Sequence, residues 1–199
     1  MALLHAVGWL VCVVYSTIPP FWLMIHPRAE RLRRKPRSPY RTLLPVWLGM
    51  WIVTGLATAH WRLVALYDFA WAWIPAALLI ATGIMVYRLA GKSFSLGQLA
   101  GLPEVRPDID GQHLVTTGIR SRMRHPLYLG HLCEMLGWSI GTGLVVCLVL
   151  TLFAIVTGAV MIRMEDAELE RRFGGDYQRY RKAVPALTPR FCFARKELL

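Results

Sequence analysis

The stretch that most limits the fold is the apolar run 125–164, which includes "MLGWSIGTGLVVCLVLTLFAIVTGAVMI". A membrane-crossing helix needs about 20 mostly apolar residues, so a run of this length suits two crossings. The expected turn between them is Gly141-Thr142-Gly143. Further apolar segments at 2–25, 43–60 and 69–90 bring the expected number of crossings to five. With 55% hydrophobic residues and a mean hydropathy of +0.41, the chain is too apolar for an ordinary soluble domain. The expectation is an all-α, polytopic membrane helical bundle forming one domain over 1–199. Residues 1–90 make a three-span scaffold, and 91–199 carry the less ordinary features.

The formal net charge of +11 raises the question of nucleic acid, and the positions of the charges answer it. Of 23 Lys and Arg, seven lie in "HPRAERLRRKPRSPYR" after the first span, and most others lie in 88–124 or after 162. Only Arg62 falls on the opposite side. This asymmetry puts the N-terminus outside and the loops 26–42 and 91–124 in the cytoplasm, together with the C-terminus. The basic run then reads as a topology signal that attracts anionic lipid, with neither nucleic acid nor a metal ion as a partner.

The first segment lacks a basic start and a small-x-small cleavage pattern and carries Pro19-Pro20 late in the run, so it is expected to remain as a kinked span. The cysteines Cys12, Cys133, Cys147 and Cys192 have no paired spacing, and no disulfide or zinc site is expected. The second and third spans carry Trp and Tyr near their ends and Gly, Thr and Ala inside, as helices packing in lipid do. The loop 91–124, with five glycines and two prolines, is long for so small a protein. The alternation in "QHLVTTGI" marks it as an ordered cap over the cytoplasmic mouth of the bundle.

Two places carry polar groups that lipid disfavours. On the fourth expected span, His125, Tyr128, His131 and Glu134 recur every three residues, so neighbours touch while the series drifts around the helix by about 60° per step. His131 and Glu134 are expected to interact directly. Burying such groups costs about 2.5–3.5 kcal/mol each even on a lenient scale, so they form either an internal hydrogen-bonded pair or part of a substrate cavity. After the fifth span, Leu169, Phe173, Tyr177 and Tyr180 fall on one helical face, which predicts a basic amphipathic helix at the membrane surface. Glu165, Asp166 and Glu168 emerge beside it, on the side where lipid charge disfavours anions. They pair with Arg163, Arg171 or Arg172, or they face a cationic ligand.

"LVTTGIRSRMRHPLYLG", an apolar helical hairpin and "EDAELERRFGGDYQRYRKAVPALTP" follow one another over about 100–190. This combination resembles the isoprenylcysteine carboxyl methyltransferase and phospholipid N-methyltransferase superfamily of integral membrane enzymes. The resemblance implies a cytoplasm-facing pocket for S-adenosylmethionine, with S-adenosylhomocysteine as product. It implies cofactor contacts at Gln112, His113, Leu114, Val115 and Gly118, and at His125, Pro126, Leu127 and Tyr128, the "HPxY" element. It also implies contacts at the acidic pair Glu165 and Asp166, with Glu165 as the carboxylate that faces the cofactor's cationic groups. Loop amides or Arg124 would suit the cofactor's own carboxylate.

The chain departs from that pattern at four places. Asp166 stands where the family usually has a second Glu, and Arg120 where an aromatic is common. Met161 and Ala186 stand where many isoprenylcysteine enzymes and their relatives have arginines, which disfavours an isoprenylcysteine carboxylate as acceptor. The expected substrate is a lipid or other apolar molecule entering laterally between spans, an amine headgroup by preference. An ammonium must lose a proton before it is methylated, and His131 or Glu134 are the expected catalytic groups for that task. An NADPH-dependent enzyme like the sterol reductases and a non-catalytic membrane scaffold are the alternatives.

Overall fold

The computed structural model describes residues 1–34, 39–92 and 113–188, with nothing assigned for the side chain of Arg33. Gln112, Cys192, most of the expected cap at 91–124 and part of the basic run lie outside the described residues. Eight α-helices make up the described fold: α1 (Ala2–Ser16), α2 (Ile18–Ile25), α3 (Ala29–Arg33), α4 (Tyr40–Thr58), α5 (Trp73–Gly91), α6 (Pro126–Thr142), α7 (Val145–Phe173) and α8 (Gly175–Ala183). Among the described residues there is no strand beyond one isolated bridge, Ala65 to Leu144.

The kink expected from Pro19-Pro20 falls at Thr17, between α1 and α2, with proline in the first turn of α2. The Thr17 hydroxyl donates to the Val14 carbonyl at 2.7 Å and accepts the Trp47 indole N–H at 3.0 Å, so α4 is pinned to the bend. A second indole, on Trp9, donates to Thr58 at 3.0 Å and fixes the other end of α4.

Four helical stretches are long and apolar enough to cross a membrane: Ala2–Leu32, Tyr40–Trp61, Ala70–Gly91 and Val145–Phe173. The sequence predicts five. The remaining one, α6, has 17 residues and spans about 25 Å at 1.5 Å per residue. It is the central helix, packed against α5, α1 and α7, and its polar residues face those neighbours.

Small residues let α5 and α6 approach closely. A side chain at Gly137 would meet Ile80 at 2.7 Å, one at Gly141 would meet Trp73 at 2.7 Å, and one at Gly130 would meet Tyr87 at 2.9 Å. The turn falls where the sequence places it: Gly143 takes φ +63°, a left-handed conformation that closes α6, and its N–H donates to Ser139. Backbone bonds from Leu66 to Gly143 and from Val145 to Val64 tie the α4–α5 loop to this turn. Cys12, Met135, Leu144, Cys147 and Leu150 form the apolar cluster shared by α1, α6 and α7.

The expected surface helix takes a different form. The chain breaks at Gly174, whose φ of +55° and ψ of −128° suit a residue without a Cβ, and α8 folds back. Tyr177 and Tyr180 are buried with Leu169 and Val184 instead of lying against lipid. The face that sequence periodicity assigns to the membrane clamps the polar end of α6 and α7.

Candidate active site

The polar end is assembled by three segments. Residues 124–125 pair with 185–186 through backbone bonds from Arg124 N to Pro185 O at 2.9 Å and from His125 N to Ala186 O at 3.0 Å. His125 is the residue before α6, and Pro126 occupies the first helical position, where a missing N–H costs nothing. The N-terminus of α6 and the acidic turn of α7 therefore meet, an arrangement the helix dipole favours.

His125 holds two carboxylates. Its Nδ1 lies 3.1 Å from Glu165 Oε2 and its Nε2 lies 3.0 Å from Asp166 Oδ1. Ionised carboxylates only accept, so both ring nitrogens donate and the ring is an imidazolium. Burial alone would lower the imidazole pKa, but the Glu165 and Asp166 carboxylates overcome it and raise the value to about 9.

The two acids differ in what they hold. Asp166 Oδ1 accepts from Arg124 at 2.5 Å, from His125 and from the Tyr177 hydroxyl, and its side chain is 7% exposed. Arg124 is committed there and to the Val184 carbonyl at 2.9 Å, so it is a structural cation and not the free partner for a cofactor carboxylate that the sequence suggested. Glu165 accepts from His125, and its side chain is 22% exposed. Of the acids, Glu165 is the open one. Asp166 pairs with Arg124 and His125, with Arg181 at 3.9 Å, rather than with the helical neighbours Arg163, Arg171 and Arg172.

The other expected contacts are spread around this centre. Leu114 packs on the Leu169–Tyr177–Tyr180 cluster, and Gly118 opens a 3₁₀ turn, Gly118–Ser121, whose Arg120 carbonyl accepts from the Tyr180 hydroxyl at 2.7 Å. His113 is exposed and Val115 half-buried. Pro126 is buried, and Leu127 faces the Val86–Ala90 cluster on α5. Tyr128 lies across Gly158, where there is no room for a Cβ, and its hydroxyl donates to the Ala154 carbonyl at 2.5 Å.

His131 and Glu134 are not hydrogen-bonded to each other, which corrects the direct pairing expected from their spacing. The His131 Nδ1 donates to the Leu127 carbonyl at 2.6 Å, and its ring stands edge-on to Tyr15 and Tyr87, at 5.0 and 5.5 Å between centroids. Glu134 lies against Gly83 of α5. Nine residues at about 100° each put His125 and Glu134 on opposite sides of α6, roughly 13 Å apart along it.

His26 escaped the sequence reading. It follows α2 in the 3₁₀ turn His26–Arg28, is 4% exposed, stacks on Trp22 and lies 3.9 Å from Glu168. An ionisable residue closing an apolar run was the available signal.

Buried ionic groups gathered at one end of a helical membrane bundle, with one carboxylate left open, define a polytopic membrane protein with a polar site at the ends of its spans. Residues 71–176 match the phospholipid methyltransferase family, and the chain belongs to that family of membrane methyltransferases. It is 28% identical over 154 residues to methanethiol S-methyltransferase 2 of Bradyrhizobium diazoefficiens, covering 76% of this chain and 54% of that one. It is 34% identical over 105 residues to protein-S-isoprenylcysteine O-methyltransferase B of Arabidopsis thaliana, covering 50% of this chain and 48% of that one. A similar enzyme of Xenopus laevis, protein-S-isoprenylcysteine O-methyltransferase, is 35% identical over 85 residues, or 40% of this chain and 28% of the relative. The chain thus spans about half or less of the length of these curated relatives. No solved structure matches it.

Proposed function

We propose that the chain is an S-adenosylmethionine-dependent methyltransferase whose acceptor is a lipid or other apolar molecule partitioned in the membrane, with an amine headgroup favoured over an isoprenylcysteine carboxylate. The observation that carries the reading is the asymmetry of the acidic pair: Asp166 is saturated by donors, while Glu165 keeps an open carboxylate at the ends of the spans. An open, half-desolvated anion suits a cationic ligand, and S-adenosylmethionine carries a sulfonium and an ammonium.

Glu165 would hold the cofactor's positive end, His125 would set the orientation of Glu165, and Gln112, His113, Leu114, Val115 and Gly118 would contribute contacts from the preceding loop. The bound cofactor supplies an electrophilic methyl group. The acceptor's lone pair forms the new bond as the carbon–sulfur pair returns to sulfur, and an ammonium acceptor first gives up one proton. The protein's work is alignment and exclusion of water. Met161 and Ala186 support an acceptor without a carboxylate, since both sit in one apolar cluster with Tyr128, Ile162 and Leu187. An anion there would be buried without a partner.

Two places are available for the proton of an ammonium acceptor: the deep His131 and Glu134, facing α1 and α5, and the carboxylates at the mouth. The positions of the basic residues favour a mouth in the cytoplasm and an N-terminus outside. Calorimetric titration of the detergent-solubilised chain tests the reading. S-adenosylmethionine should bind and NADPH should not; preference for NADPH, or binding of neither, overturns it.

A further inference from the structure

Beside the acidic turn of α7 lies a cavity of about 470 Å³, lined by His26, Pro27, Ala29, Glu30, Glu168, Arg171 and Arg172. It sits where α2 gives way to the 3₁₀ turn and α3, against the last turns of α7. Along α7 the apolar surface of Val149, Leu152, Val156 and Val160 ends within one turn of Arg163, so the cavity lies at the depth where lipid headgroups meet water.

We propose that this cavity is a phosphate subsite for the headgroup of a zwitterionic phospholipid, with Arg171 and Arg172 on the phosphodiester and Glu168 toward the ammonium. The proposal rests on the methyl-transfer reading and names its acceptor class. Three observations carry it. Two adjacent guanidinium groups line the cavity, and their planar forks match the geometry of phosphate oxygens. His26 is 4% exposed, and its Nδ1 has no hydrogen-bond partner among the described residues, although stacking on Trp22 at 5.4 Å holds the ring in place. A buried polar atom of this kind is satisfied by a ligand or by water.

The charges of the lining are mixed, which separates a zwitterion from a purely anionic lipid. Glu30 is already paired with Arg34 at 2.5 Å, whereas Glu168 faces His26 at 3.9 Å and stands one helical turn from Glu165. A phosphate on the arginines puts a headgroup nitrogen beside Glu168 and next to the open carboxylate of Glu165. In that position the carboxylates at the mouth, and not Glu134, lie nearest to the proton the acceptor loses.

The test uses the full chain in detergent, with bound lipid counted by native mass spectrometry and S-adenosylmethionine binding measured in parallel by calorimetry. Dioleoyl phosphatidylethanolamine should be retained in preference to dioleoylglycerol, which lacks the phosphate. Arg171→Gln should weaken that retention about fivefold, and Arg171→Gln with Arg172→Gln about tenfold or more, while cofactor affinity stays within about twofold. Arg171 is exposed, so the single variant decides the matter if the double variant does not fold. Unchanged lipid retention overturns the proposal. Loss of cofactor binding in the variants also overturns it, because the arginines would then serve the cofactor's carboxylate. Displacement of the lipid by inorganic phosphate alone, with glycerophosphoethanolamine no better, makes the cavity a free-phosphate site and overturns the lipid assignment. A wild-type chain that retains the phospholipid but binds no S-adenosylmethionine leaves the subsite standing and removes the methyl-transfer reading.

Discussion

The ring of Tyr128 fills the space that a side chain on Gly158 would need, and its hydroxyl bonds to the Ala154 carbonyl one turn earlier on α7. Here α6 and α7 meet just below the polar centre. Gly158→Ala should therefore destabilise the fold by about 1–3 kcal/mol, the usual cost of forcing volume into a packed contact. Tyr128→Phe removes only the hydroxyl and should cost about 1 kcal/mol. Thermal melts in detergent check both; equal effects would mean that the contact is held by the hydrogen bond rather than by shape.

Exchanging each acid of the pair for its amide should separate structure from binding. Asp166→Asn weakens a buried centre shared with Arg124, His125 and Tyr177, and breaking such a network costs about 3–5 kcal/mol. Glu165→Gln should leave the melt nearly unchanged and weaken S-adenosylmethionine binding about tenfold or more. Calorimetry alongside a melt reads both effects, and a Glu165→Gln chain with unaltered affinity returns that residue to a structural role.

His125 gives the centre a pH dependence. Its pKa is raised to about 9 from an ordinary 6.5, so its stabilising contribution is complete below about pH 6.5 and is lost as the folded ring deprotonates toward pH 9. The melting temperature of the cofactor-free chain should fall over that interval, and the slope should flatten in His125→Gln. A cationic ligand beside Glu165 competes with the imidazolium for the carboxylate. Cofactor binding should then release protons and tighten with rising pH, which titrations in buffers of different ionisation enthalpy measure.

Glu134→Gln distinguishes the two places for proton uptake. With the acceptor at the mouth, turnover per folded molecule should stay within about twofold of wild type and show no new pH dependence. A pH-dependent loss of turnover with cofactor affinity intact would assign proton uptake to the deep residues instead.

Periodicity and hydropathy made the helices legible because lipid leaves the backbone few choices. They placed the kink at Pro19-Pro20 and the turn at Gly143 for the same local reasons the structure shows. Which side of a helix meets which neighbour is a tertiary matter. The three-residue series from His125 to Glu134 reads as one inward path, yet it winds from α7 round to α5. Tyr177 and Tyr180 carry an amphipathic pattern that fits lipid as well as it fits a protein groove, and the break at Gly174 decides between them. At the site, His125 and Glu165 were legible from motif order. The saturation of Asp166 and the approach of His26 to Glu168 depend on contacts between residues more than 40 or 140 positions apart, which spacing alone does not encode.

The backbone pairing of Arg124 and His125 with Pro185 and Ala186 sets an order on biosynthesis. When the ribosome has released the apolar hairpin, the start of α6 still lacks the strand-like partner that fixes it, and Tyr177 has yet to reach Asp166. The nascent chain can be fully inserted in the bilayer and still lack a competent centre until residue 186 has emerged. Occupancy by ligand would then mark molecules whose translation has passed that point, and chains stalled earlier would present an exposed acidic turn to membrane proteases.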